Sequence, residues 1–424
     1  MNTDSGTKLS FVDRLLSVVL PRSLHSRVAL RIVRALLPLR PMYRPFQRVE
    51  FTFFLEIVEQ AYTRPMARVV WTNIFVPSEL FWGLGLVPFY PETIAGFAAA
   101  LGLSALGVEQ SAAQGYPVDL CTFHRSAAGL RAAGLFPRGD AYLATSNLCD
   151  VASQMLANFA YTSQRPFHLL DVPPAQDAAA VDYLTDQLEQ LVAAWSRELG
   201  VRYDPERMRQ AVRLSNQARA LALEVAALRQ AQPAPVRGSL MMDQLAVLSS
   251  MFGHRAGVRY YQRLRDYVQQ RIRRGQPEQT NQRIRLYWMH LQPYYPSPLI
   301  AHLEDNLGGV IAYEEPSTVW WQELDEEQPL RALASKMLQN FFNGSVERRA
   351  EVALQHIARY QCVGAIHFSH WGCRQSSGAL HVLRAQLRKA GVPLLVLDGD
   401  CVDPTNLQLG PLRTRLEAFL EMLG

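Results

Sequence analysis

Cysteine is scarce in this chain, with five among 424 residues. So few, and an odd number, exclude a disulfide scaffold, and free thiols point to a reducing, cytoplasmic setting. Long apolar runs are missing as well. Between Phe11 and Leu39 the apolar stretches are interrupted by Arg22, Arg27, Arg31 and Arg34, so a span of about 20 apolar residues does not form and no transmembrane segment is expected. An amphipathic helix packed on its own domain, on a partner or on a membrane surface fits that segment. The polar opening MNTDSGTKLS lacks the pattern of a secretory signal. Neither G-x-G-x-x-G nor G-x-x-x-x-G-K-[ST] occurs, which argues against dinucleotide binding or unaided ATP hydrolysis. Charge of one sign is not concentrated either: 43 basic and 38 acidic residues are interspersed. With no recognisable reading module, no nucleic-acid partner is expected, while a basic pocket for cofactor phosphates stays open.

What is present is a folded chain, 49% hydrophobic and 19% charged, long enough for two to three domains. Residues 1–65 read as a basic helical extension. Over 66–175 short apolar runs alternate with turns, and ARVVW (67–71), AYLAT (141–145) and PFHLLD (166–171) are candidate buried strands. TIAGFAAALGLSAL between them reads as one closely packed helix. Residues 176–281 form a helical block, with Asp177 capping a helix to about Leu199 and Asp204-Pro205-Glu206 starting the next. Over 282–424 the pattern returns to strands at IRLYWM, GVIAYE, VGAIHF and VPLLVLD, separated by helices such as VERRAEVALQHIARY. The expected fold class is α/β: two units with parallel sheets, a helical block between them, and ligands beyond the carboxyl ends of the strands.

Three cysteines sit where such folds bind ligands. Cys149 and Cys373 each follow a predicted strand, one per unit, and Cys121 opens a small-residue helix. They are 28 and 224 residues apart (149 − 121 and 373 − 149), too far for a compact zinc ribbon or ferredoxin pattern. Buried cysteines acting as small hydrophobes are the plain alternative. Zinc is another, because Cys121 with His124 forms C-x-x-H and His370 with Cys373 forms H-x-x-C. Cys362, before a strand, and Cys401, after VLDGD, read as core residues. Glu79 is an acid within the apolar stretch VPSELF; such a carboxylate suits proton transfer near a substrate, or else caps a helix or faces solvent. Asp150 reads as an acceptor of backbone amides in its loop, Arg125 as a counter-charge for an anion, and Ser126, Ser376 and Ser377 as helix caps.

The phrases LCTFHRSAAG, NLCD and the distant HFSHWGC resemble the three cluster-ligand motifs of the 2-hydroxyacyl-CoA dehydratase and benzoyl-CoA reductase subunits. VPSELFWGLGLVPFYPE, HLEDNLGGVIAYEE, VPLLVLDGDCVDP and the closing TRLEAFLEML resemble other parts of that family in the same order, from about Val69 to Leu423. The resemblance implies two Rossmann-like domains, with Cys121, Cys149 and Cys373 holding a [4Fe-4S] cluster in the cleft between them. Three thiolates leave one iron open, able to act as a Lewis acid. It also implies one-electron reduction of an acyl-CoA substrate, a related second subunit or a homodimer, and an ATP-dependent activator as electron donor. Glu79 is the candidate catalytic residue. Where family members carry a polar or cysteine residue before this motif, the chain has Trp71, Thr72 and Asn73, so substrate details do not carry over. A non-catalytic electron-relay or structural subunit and a zinc-stabilised binding protein are the competing readings.

Overall fold

The computed structural model describes residues 26–36 and 43–424. Most of the Phe11–Leu39 segment therefore lies outside the described residues. Two helices of the extension, Arg27–Leu36 and Pro45–Thr63, are described and are tied by an ion pair from Arg31 to Glu59 at 3.1 Å. Among the described residues no helix is long and apolar enough to cross a membrane.

Two four-stranded sheets form the α/β frame. The first contains β1 (Val69–Thr72), β2 (Val87–Phe89), β3 (Ala141–Thr145) and β4 (Phe167–Leu170); the second contains β5 (Ile284–Met289), β6 (Gly309–Glu314), β7 (Gly364–His370) and β8 (Leu394–Gly399). Their orders are β2-β1-β3-β4 and β6-β5-β7-β8, and every pairing is parallel. The two Rossmann-like units thus repeat one topology. Strands β1, β3, β6 and β7 are buried along their whole length, which is why they read as unbroken apolar runs rather than as alternation. One apolar core passes through both sheets, joining Trp71 and Phe89 to Leu286, Trp288 and Phe368.

Between the units lie the helices Ala178–Leu199, Pro205–Leu228 and Arg255–Arg274. Asp177 accepts the Ala180 amide and Asp204 those of Glu206 and Arg207, so both expected caps form, each worth about 1 kcal/mol against alanine. The helix Pro329–Leu338 leaves the second unit in sequence but packs into the core of this helical block.

Local readings fail at two places. β2 was hidden in VPSELFWGLGLVPFYPE, because three residues with a central Pro88 show no period of two. The segment TIAGFAAALGLSAL is not one helix: Pro91–Ala100 ends, Gly102 turns the chain at φ 74°, and Ser104–Ala113 begins anew.

Candidate functional site

Cys121, Cys149 and Cys373 are each the residue immediately before a helix: Thr122–Ala132, Asp150–Ser163 and Arg374–Lys389. Cys149 and Cys373 hold corresponding places, after the third strand of their units. At none of the three does the side chain complete a capping hydrogen bond. The first-turn amides of Phe123 and His124, of Ala152, and of Gln375 and Ser376 nevertheless lie near enough to favour a negative sulfur. Ser126, Ser376 and Ser377 are inside these helices rather than at their caps, because the cysteines take the cap positions.

Gly372 joins the units at this point. A Cβ there would meet the Cys121 nitrogen at 2.6 Å and its Cα at 2.8 Å, and φ is +71°. Only glycine allows the loop before Cys373 to lie on the backbone of Cys121. Leu148 and His290, beside the cavity described next, also hold left-handed backbones at φ 68° each, a conformation that costs a non-glycine residue of order 1 kcal/mol or more.

The three thiols line one cavity of about 330 Å³ between the units, together with His124, His290 and His370. Each sulfur faces one ring: Cys121 is 3.3 Å from His370 Nε2, Cys149 3.5 Å from His124 Nε2, and Cys373 3.8 Å from His290 Nε2. The first of these has a defined polarity. The backbone amide of Cys401 donates to His370 Nδ1 at 3.1 Å, so in the neutral ring the proton sits on Nε2 and points at the Cys121 sulfur. Asp400 is 3.8 Å from the same Nδ1, but its Oδ1 already accepts from Thr122, Val402 and Asp403. Burial lowers His124 and His370 to about 4 and His290 well below its usual value, so all three rings are neutral at pH 7.

Burial also raises the thiols. Cys149 is pushed up to about 12 and Cys121 well above its usual value, Cys121 also by the charges of Cys373 and Cys149. Cys373 is raised by burial, with the Ser376 amide and Arg349 opposing. Among the described residues no three Cys, His, Asp or Glu side chains converge on a point able to hold a single metal ion. The C-x-x-H and H-x-x-C pairs do not close on themselves; the histidines face cysteines from other segments.

Glu79 is not brought to this cavity. It is fully buried, accepting from Lys336 Nζ at 2.6 Å and Ser215 Oγ at 2.5 Å, and Lys336 in turn lies over the Trp321 ring at 4.0 Å. This is an ion pair locked inside the helical core. The carboxylates that do line the cavity, Glu92 and Asp243, went unnoticed in the sequence. Burial raises Glu92 to about 7 and Asp243 to about 6. Glu92 Oε1 accepts the Ile74 amide at 2.8 Å. Its only sequence signal, Pro-Glu at a helix start, is shared with any first-turn acid.

The remaining candidates have other duties. Asp150 pairs with exposed Arg374 across the two units at 2.5 Å instead of accepting amides. Arg125 is buried and donates to the Val118 carbonyl at 2.9 Å. Cys362 packs beside the second unit's core, and the Cys401 thiol is fully buried, with only its backbone reaching His370.

Comparison with known proteins adds an independent line. The family model for the 2-hydroxyglutaryl-CoA dehydratase D-component matches residues 73–423. The chain is 23% identical to the (R)-phenyllactyl-CoA dehydratase alpha subunit of Clostridium sporogenes, covering 84% of this chain and 89% of that protein. It is 22% identical to the (R)-2-hydroxyisocaproyl-CoA dehydratase alpha subunit of Clostridioides difficile, over 84% and 90%. With a benzoyl-CoA reductase subunit from Thauera aromatica it shares 24% identity, over 83% and 88%.

Proposed function

The chain belongs to the 2-hydroxyglutaryl-CoA dehydratase D-component family, and from that premise we propose that it is a subunit of an acyl-CoA dehydratase or reductase in which Cys121, Cys149 and Cys373 hold a [4Fe-4S] cluster. The observation that carries the reading is the convergence on one cavity of three thiols from both α/β units, each on the residue just before a helix. The donor set fits such a group. Soft thiolates suit iron and sulfide, and three helix N-termini offset its negative charge.

When bound, a cluster with three protein thiolates for four irons supplies one-electron transfer and one iron free to act as a Lewis acid. The protein's own residues set the conditions around it. His370 Nε2–H donates to the Cys121 sulfur and disperses its charge. The largely apolar wall keeps water from the reacting end of the thioester. Glu92, with Oε1 held by the Ile74 amide, keeps Oε2 to carry a proton that it can release or take up near neutral pH. Because the buried thiols are protonated in the absence of metal, loading releases protons and strengthens as pH rises. In this reading the protein works in a reducing cytoplasm alongside a related second subunit. Lacking a phosphate-binding loop motif of its own, it draws its electron from an ATP-dependent activator.

Anaerobic purification with iron and sulfide counting tests the assignment on wild type and on Cys121→Ala, Cys149→Ala and Cys373→Ala. Each substitution is expected to remove most of the bound iron; full retention in all three ends the proposal. Addition of an acyl-CoA should perturb the paramagnetic spectrum of the reduced cluster. A spectrum indifferent to every thioester tried would point to a relay subunit instead.

A further inference from the structure

Resting on the acyl-CoA reading above, we propose that the cavity selects thioesters whose acyl group is aromatic or bulky and uncharged, and rejects dicarboxylic ones. The lining is rich in rings, with Phe51, Phe75, Phe97, Phe123, Tyr294 and Trp320 contributing from the N-terminal extension and both units. Phe123 ties this wall to the thiols, since its ring lies 5.3 Å from that of His370 and 5.7 Å from that of Tyr294, edge to face in both cases. A flat apolar group seated on these rings would therefore lie next to the Cys121–His370 pair. Edge-to-face and offset ring contacts of this kind favour an aromatic guest over an aliphatic one of equal area.

The charges lining the cavity point the same way. Among the described residues that line it there is no lysine or arginine, whereas Glu92 and Asp243 both do. Two buried cations of this region are already committed: Arg349 to Glu315 through two contacts of 2.7 Å, and Lys336 to Glu79 at 2.6 Å. A second carboxylate on the acyl chain would lose its water without gaining a counter-ion, since Glu92 and Asp243 offer it no positive charge. The volume, about 330 Å³, lies at the low end of the roughly 300–1,000 Å³ typical of ligand pockets. Shared with a group held on the three thiols, it has room for an acyl end and leaves the nucleotide outside.

The test is titration calorimetry on natively isolated anaerobic protein with 3-phenylpropanoyl-CoA, glutaryl-CoA and CoA itself. The two thioesters lack a hydroxyl, so there is no leaving group to eliminate. The aryl thioester is expected to bind at least tenfold more tightly than glutaryl-CoA. Ala246→Arg, which puts a cation on the cavity wall, should shrink that ratio to threefold or less. Phe97→Ala should weaken the aryl thioester while leaving glutaryl-CoA unchanged, and it keeps the test open should the arginine variant not fold. Equal or tighter binding of glutaryl-CoA to the wild type overturns the selectivity and leaves the acyl-CoA reading standing. Thioesters that bind no better than CoA overturn both.

Discussion

Glu92 and Glu315 hold corresponding positions in the two α/β units and meet opposite fates. Each lies just past the second strand of its unit and accepts the amide that follows the first strand: Ile74 to Glu92 and His290 to Glu315, both at 2.8 Å. Glu315 is then gripped by Arg349 through both oxygens at 2.7 Å, in a site almost closed to solvent. Among the described residues no basic side chain pairs with Glu92; burial dominates and raises it to about 7. The same backbone arrangement thus gives a structural anchor when a cation is supplied and a proton-exchanging group when it is not. One carboxylate is neutralised by a guanidinium, the other by a proton.

The largest effect should come from breaking the anchored side. Arg349→Met strands Glu315 in the interior and is expected to cost about 3–5 kcal/mol, read as a fall in the denaturant midpoint with an unchanged slope. Glu315→Gln in that background should recover part of the loss. Next comes the contact between the units. Gly372→Ala forces a Cβ against the backbone of Cys121, with an expected cost of roughly 1–3 kcal/mol and a drop in iron content, checked by unfolding and by metal counting. Glu92→Gln should change stability at neutral pH by less than about 1 kcal/mol but alter its pH dependence. The folded-state pKa of Glu92 lies above its ordinary value, so its favourable neutral form is fully present at low pH and its contribution is lost as pH rises through about 7. The glutamine variant should lose that component, and any activity limb near pH 7 with it. The smallest effect belongs to His370→Gln. Iron content should hold while the midpoint potential moves to more negative values, because a donor to the Cys121 sulfur has gone; an unmoved potential would show that the ring only fills space.

The frame was legible because both sheets are parallel and their inner strands are buried, with seven of eight strands appearing as short apolar runs between turns; only β2, three residues with a proline, carried no pattern. Helix starts at Asp177 and Asp204 were legible because their caps are local chemistry. Cys121, Cys149 and Cys373 stood out through motif context, not spacing. His124 and His370 stood out too, but beside the wrong cysteines, and His290 did not: His370 is 249 residues from Cys121, and no local rule pairs residues that distant. Glu79 drew attention as an acid in an apolar run, yet burial alone cannot distinguish a carboxylate with a lysine waiting for it from one without. That difference is tertiary, and it separates Glu79 from Glu92.

The distribution of the thiols along the polymer also sets a timetable. Cys121 and Cys149 leave the ribosome first, and Cys373 follows Cys149 after 224 residues (373 − 149). At the usual 5–20 residues per second of synthesis, that gap lasts roughly 11–45 s. Any inorganic cage that needs all three must wait until the second lobe has been made and has docked at Gly372.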